Sequence, residues 1–109
     1  MTHELEADYH ERVTAYLKEE YGEANVETEH VFEETQRRVD CLVSGPLVDF
    51  AVEVERSFDA AITGVGQAEL YAGHGHNVVP VIVLPPDHTV EPEATILRER
   101  GVHLIELDV

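Results

Sequence analysis

Two carboxylates share one face of a predicted strand. Residues 49–55 alternate so that Glu53 and Glu55 point the same way as Ala51, while the larger apolar side chains point to the opposite face. Asp40 lies thirteen residues before Glu53 in a second apolar segment, and a hairpin would bring adjacent strands to about 5 Å. Converging carboxylates repel unless a cation joins them. The pattern predicts a cation site, and the alternative is a solvated acidic sheet face in a chain with 23 Asp and Glu.

The chemistry of such a site follows from its donor atoms. Hard carboxylate oxygens suit Mg²⁺ or Mn²⁺, which take a few carboxylates together with water and substrate phosphate oxygens. A metal held in this way can activate water for phosphodiester hydrolysis. Arg37, Arg38 and Arg56 are candidates for phosphate contact, because a guanidinium group forks onto phosphate oxygens. Salt bridges to the surplus acidic residues are an equal alternative for these arginines.

Three consecutive strands would position the carboxylates. Residues 38–43 and 49–55 read as strands joined by a turn at residues 44–46, which contains Gly and Pro. A half-buried strand beginning at Val26 precedes them. One face of that strand is predicted to carry Val26, Thr28, His30 and Phe32. The three strands predict an antiparallel meander.

Helices and further strands surround this meander. Apolar residues at helical spacing predict helices over about 4–21 and 59–73, and a third helix begins near Pro92 and reaches Arg100. The continuous apolar run 78–84 predicts a strand covered on both faces, and 102–107 predicts a last strand. The order α-β-β-β-α-β-α-β predicts an α/β fold with one mixed sheet, and 109 residues suit a single domain over 1–109.

The net charge of the chain indicates the solvent in which the protein works and says little about its ligands. Seven basic residues against 23 acidic ones give a formal net charge of −16 on a chain that is still 43% hydrophobic, which excludes a disordered acidic tail. Such an acidic surface indicates adaptation to high salt, where the Debye length shrinks to about 3 Å. The single cysteine, Cys41, reads as a buried thiol in a reducing compartment. With no signal-peptide pattern or apolar span, the expected location is the cytoplasm.

The predicted element order and its acidic residues resemble the PD-(D/E)xK nuclease superfamily, which includes archaeal Holliday-junction resolvases and RecB-like nucleases. The core of that superfamily is α-β-β-β-α-β, so the resemblance implies a restriction-endonuclease-like mixed sheet with a C-terminal α-β unit added. The matching residues span most of the chain. They are Glu11, Asp40, Glu53, Glu55, Gln67 and Tyr71.

The resemblance implies a role for each residue of the site. Asp40 and Glu53 would hold Mg²⁺ or Mn²⁺, Glu11 would complete the site, and Gln67 would orient nearby groups. The sequence departs from the motif at Glu55, where the superfamily usually has a lysine that orients the attacking water. Some restriction endonucleases also have Glu there, so Glu55 would act as general base or metal ligand. A smaller departure is Val39, which precedes Asp40 in place of the proline of the motif.

Three functions remain open from the sequence. The leading hypothesis is a metal-dependent endonuclease that acts on DNA, and the resemblance to the resolvases also implies a homodimer. The second is a catalytically inactive nuclease-like module that binds DNA or protein. The third is a structural protein whose acidity only keeps it dissolved in brine.

His10 shares a predicted helix face with His3, and the sequence assigns it no role.

Overall fold

The computed structural model describes residues 6–33, 36–58 and 78–109. The helix predicted over 59–73 lies outside these residues, as do Gln67 and Tyr71. The described elements are α1 (Glu6–Tyr21), a short 3-10 helix (Glu23–Asn25), β1 (Val26–Phe32), β2 (Arg37–Ser44), β3 (Asp49–Val54), β4 (Val78–Leu84), α2 (Glu93–Glu99) and β5 (His103–Glu106).

The five strands form one mixed sheet in the order β1-β2-β3-β4-β5. β1, β2 and β3 pair antiparallel, which confirms the predicted meander. β4 pairs parallel with β3, and β5 pairs parallel with β4. The α/β class is therefore confirmed, with α1 and α2 as the two helices of the described part.

α1 packs on one face of the sheet through side chains four positions apart. Tyr9, Val13 and Leu17 are buried there, and Val13 is fully inaccessible to solvent. Their neighbours in the sheet come from β1 to β4. These are Val26, Cys41, Val43, Val52, Val54, Val81 and Val83. This packing fixes the position of the first turns of α1 relative to β2.

α2 covers a second apolar cluster. Ala94 and Leu97 pack with Ile82 and Leu84 of β4, whereas the alternate β4 residues Val81 and Val83 belong to the α1 cluster. Successive side chains of a strand point to opposite faces, so β4 is covered on both sides as its apolar run predicts.

Two long-range hydrogen bonds tie α1 to the segment after β5. The Tyr9 hydroxyl donates to the carbonyl oxygen of Leu107 at 2.8 Å, and Arg12 Nε donates to the carbonyl oxygen of Val109 at 3.0 Å. Burial raises the pKa of Tyr9 to about 12, and the nearby Asp108 carboxylate acts in the same direction. The phenol therefore stays protonated in the folded protein at pH values where an exposed tyrosine ionises.

The raised pKa of Tyr9 makes the stability of the protein depend on pH in the alkaline range. The folded pKa of Tyr9 lies above its unfolded value, so its contribution is complete below pH 10 and is lost as the pH rises toward 12. We expect Tyr9→Phe to lower the free energy of unfolding by about 1 kcal/mol at pH 8 and to reduce the loss of stability above pH 10. Urea titrations across this range measure both effects. Tyr16→Phe, at an exposed tyrosine of the same helix, is the control, and identical alkaline slopes for the two variants would contradict the assignment.

Candidate active site

The candidate site lies where β2 and β3 separate. Their pairing runs from Ser44 opposite Asp49 to Cys41 opposite Val52, and it ends there. In the next position, Asp40 Oδ2 accepts a hydrogen bond from the backbone N–H of Val54 at 2.8 Å. The Asp40 carboxylate thus accepts a backbone N–H group at the point where the β2–β3 hydrogen bonding ends.

The strand on the other side of β2 also departs from regular geometry here. Glu29 has a φ of 52°, in the left-handed region, and it lies between the pairs Thr28–Cys41 and His30–Val39. It therefore stands across from Asp40. A glutamate in this conformation is strained, because its Cβ crowds the backbone.

The irregularity at Glu29 changes which way the β1 side chains face. Val26 packs in the α1 cluster, whereas Phe32 packs with Val39 and Ala51 in a separate cluster, although 26 and 32 have the same parity. Thr28 is exposed. The predicted common face of Val26, Thr28, His30 and Phe32 is therefore wrong. A residue in the left-handed region interrupts the two-residue alternation of a strand. The amino-acid composition of the segment does not reveal such a residue.

β2 shows the same change of face at Asp40. Cys41 belongs to the α1 cluster, but Val39, two residues earlier, belongs to the cluster of Phe32 and Ala51. Asp40 lies at the change, and its carboxylate reaches His10 of α1. The break in alternation therefore brings Asp40 to the side of the sheet that α1 covers.

The strain at Glu29 can be tested by removing its Cβ. We expect Glu29→Gly to leave the protein equally stable or up to about 1 kcal/mol more stable, because glycine adopts positive φ without a steric penalty. Glu27→Gly, in the same strand and also exposed, should lower the free energy of unfolding by about 1 kcal/mol. Chemical denaturation of both variants measures the difference. Equal destabilisation by the two substitutions would mean that Glu29 occupies an ordinary strand conformation in solution.

An open cleft of about 520 Å³ lies beside this break in the strands. Four residues predicted for the site, Glu11, Asp40, Glu53 and Glu55, line it together. Its other lining residues in the described part of the chain are His10, Glu29 and Val54. The cleft therefore combines side chains from α1, β1, β2 and the end of β3.

Glu53 differs from the other carboxylates of the cleft in its burial. Only 8% of its surface is exposed, and it is the one buried charged side chain among the residues the structure describes. Removing an ionised carboxylate from water costs several kcal/mol unless other groups or a cation compensate. This burial disfavours a merely solvated acidic face as the explanation for Glu53.

Glu55 follows β3 directly. Its backbone N–H donates to the carbonyl oxygen of Val83 at 2.9 Å, which extends the β3–β4 pairing by one residue. The side chain is half-buried and lines the cleft. Glu55, which corresponds to the lysine of the motif that the sequence resembles, therefore lies at the end of a paired strand.

Two polar residues of the cleft, Glu29 and His10, are not identified from the sequence. The imidazole of His10 approaches the carboxylate of Asp40. Its Nε2 atom lies 3.3 Å from Asp40 Oδ1, and about 30% of each side chain is exposed. Nothing in the spacing of the two residues predicts this contact, because it depends on how α1 lies across the sheet. The only available signal is that His10 precedes Glu11, which the motif places at the site.

Cys41 is buried behind the cleft, as predicted. It is fully inaccessible to solvent, and the Thr14 hydroxyl lies 3.7 Å from its Sγ atom. Burial raises the pKa of the thiol, the contact with Thr14 acts in the opposite direction, and the neighbouring Asp40 raises it further. The thiol is therefore protonated at neutral pH, which suits packing rather than nucleophilic chemistry.

The three arginines predicted to contact phosphate are not among the described residues that line the cleft. Arg38 is exposed, and its Nη1 atom is 3.9 Å from Glu29 Oε1 at the rim. Arg56 is half-buried just beyond β3, and its carbonyl oxygen lies 2.6 Å from His88 Nδ1. Arg37 begins β2 opposite Phe32. An exposed ion pair such as that of Arg38 with Glu29 contributes little to stability.

The donor chemistry of the cleft fits a hard divalent cation. Five of its lining side chains are carboxylates, and Mg²⁺ is commonly bound by one or two carboxylates while water and substrate phosphate fill the other positions. Within residues 6–33, 36–58 and 78–109, no three His, Cys, Asp or Glu side chains already form a chelating group. A site of the Mg²⁺ type needs only one or two carboxylates, and Asp40 and Glu53 are the candidates that the sequence predicts for it.

Neither α1 nor α2, the helices of the described chain, is long and apolar enough to cross a membrane. No protein-family model, curated protein or solved structure matches the chain.

Proposed function

We propose that this protein is a metal-dependent endonuclease that hydrolyses DNA phosphodiester bonds at the cleft. The observation that carries the proposal is the position of Asp40 and the buried Glu53 at the separation of β2 and β3, beside an open, carboxylate-lined cleft. The order of elements is compatible with a restriction-endonuclease-like core, and that finer assignment belongs to the proposal.

Each carboxylate of the proposed site has its own role. Asp40 and Glu53 would hold Mg²⁺ or Mn²⁺, with Glu11 as a further oxygen donor from α1. The bound cation supplies Lewis acidity and lowers the pKa of water at the site. Glu55 accepts the proton of the attacking water as general base. Gln67, which the resemblance places near the site, lies outside the described residues.

The charge of the cleft limits how DNA can bind. Three carboxylates around one divalent cation leave a formal charge of 2 − 3 = −1, so phosphate needs positive charge from elsewhere. Arg38, which pairs with Glu29 of the cleft, and Arg56, just beyond β3, are candidates for this charge. Binding that depends on phosphate neutralisation also weakens steeply with salt. We therefore infer a local contact with few phosphates, and a homodimer, if formed, would double the available arginines.

One observation favours a second function, a nuclease-like module that binds DNA or protein without cutting. None of the described residues lining the cleft is a lysine or an arginine, and a glutamate stands at the lysine position of the motif. Such a module would retain binding but would need no divalent cation for it. Metal dependence therefore distinguishes the two functions.

Cleavage of end-labelled linear duplex, single-stranded and branched DNA tests the proposal. The assay compares Mg²⁺, Mn²⁺ and EDTA in molar KCl, which screens the self-repulsion of an acidic chain, with a parallel series at low salt. We expect cutting of at least one substrate with either metal and none with EDTA. If the folded protein binds DNA with the same affinity with and without metal and cuts no substrate, the non-catalytic module replaces the endonuclease.

A further inference from the structure

Asp40 is contacted at both of its carboxylate oxygens. Oδ2 accepts the backbone N–H of Val54 at 2.8 Å, and Oδ1 lies 3.3 Å from His10 Nε2. An ionised carboxylate offers about four lone-pair sites. The two contacts therefore fix its orientation and leave acceptor capacity on each oxygen for a cation.

His10 is itself held in place by the packing of α1. The Thr14 hydroxyl donates to the His10 carbonyl oxygen at 2.9 Å and also lies 3.7 Å from Cys41 Sγ in β2. The neighbouring Val13 is fully buried. These contacts dock α1 on β2 at the residue next to Asp40, and they fix the helix backbone from which the His10 side chain extends.

Among the described residues that line the cleft, His10 is the only one with a side-chain N–H group. The other polar side chains there are carboxylates, which only accept hydrogen bonds when ionised. An imidazole N–H group can donate a hydrogen bond to a carboxylate, and partners of this kind orient metal-binding residues in many proteins. No other lining side chain can hold Asp40 Oδ1 in this way.

We propose that His10 is a positioning residue that fixes the Asp40 carboxylate in the orientation required for Mg²⁺ or Mn²⁺ binding. The inference rests on the proposed function, because it concerns the same cation. It adds a residue that acts through Asp40 and makes no bond to the substrate. Its loss should therefore weaken metal binding even when no DNA is present.

Titration of the protein with Mn²⁺, followed by the electron paramagnetic resonance signal of free Mn²⁺ at pH 8 in molar KCl, tests this role. We expect His10→Ala to weaken Mn²⁺ binding by about 10-fold. His10→Gln, whose amide nitrogen can approach the position of Nε2, should recover most of that loss, whereas the shorter His10→Asn should not. The matched control is His30→Ala, which removes a histidine that contacts Glu27 on β1, outside this cleft.

The outcomes separate the inference from the proposed function. Wild-type affinity in His10→Ala, or tighter binding, would overturn the positioning role while leaving the metal site intact. Recovery by Asn as complete as by Gln would also overturn it, because reach toward Oδ1 would then be irrelevant. A wild-type protein that binds no Mn²⁺ would overturn both proposals. Circular dichroism spectra confirm that each variant is folded, and the Gln and Asn pair keeps the comparison valid if the alanine variant unfolds.

Discussion

Replacement of Asp40 by asparagine is expected to lower the rate of DNA cleavage by about 10³-fold, since the stabilisation supplied by a catalytic metal amounts to several kcal/mol. The amide keeps the shape of the side chain, and its oxygen can still accept the N–H of Val54. It loses the negative charge that would bind the cation. Single-turnover cleavage at saturating DNA in molar KCl measures the effect without interference from product release.

The control for Asp40→Asn is Asp49→Asn. Asp49 begins β3 and lines no part of this cleft, so this variant removes the same charge from the same sheet. We expect it to cut at the wild-type rate. Both variants should unfold at similar denaturant concentrations. Cleavage by the Asp40 variant at the rate of its control would remove Asp40 from the catalytic site.

The parts of the fold that the sequence predicts correctly are those with an uninterrupted pattern. The apolar run in β4 predicts a strand covered on both faces, and Val81 and Ile82 indeed belong to clusters on opposite sides. The four-residue spacing of Tyr9, Val13 and Leu17 predicts the buried stripe of α1. In these segments a single period governs burial from end to end, so local composition is sufficient.

The prediction of β1 fails where the period breaks. Glu29 adopts a positive φ, and no residue type in its neighbourhood signals this, since glutamate is an uncommon choice for that conformation. The break is paired across the sheet with Asp40, so it is a property of two strands together. A strict alternation would have placed the Asp40 side chain on the face of Leu42, away from His10.

The candidate site shows the same division between local and tertiary information. Types and spacing were enough to select Asp40, Glu53 and Glu55, the resemblance to the nuclease superfamily added Glu11, and all four line one cleft. His10 was not selected, because its contact with Asp40 joins residues thirty positions apart through the docking of α1. The burial of Glu53 was equally inaccessible, since alternation assigns a face to a side chain and says nothing of what covers that face.

Glu55 is the general base of the proposed reaction. As general base it is expected to contribute about 10²-fold to the rate, so Glu55→Gln should slow cleavage by that factor while leaving Mn²⁺ affinity nearly unchanged. The amide cannot take a proton from water, but it has almost the same shape and still accepts hydrogen bonds. Single-turnover rates and the Mn²⁺ titration measure the two quantities separately.

A matched variant separates this role from a general effect of charge. Glu99→Gln, at the exposed end of α2, removes one negative charge and so reduces the repulsion of DNA to a similar extent. Equal rates for the two variants would mean that Glu55 accepts no proton during the reaction. Glu55→Lys then carries the argument further, because it installs the residue of the resembling motif at the end of β3. If the cleft retains the geometry of a nuclease, we expect this variant to cut faster than Glu55→Gln, since a lysine both orients water and offsets the charge that develops at the phosphate.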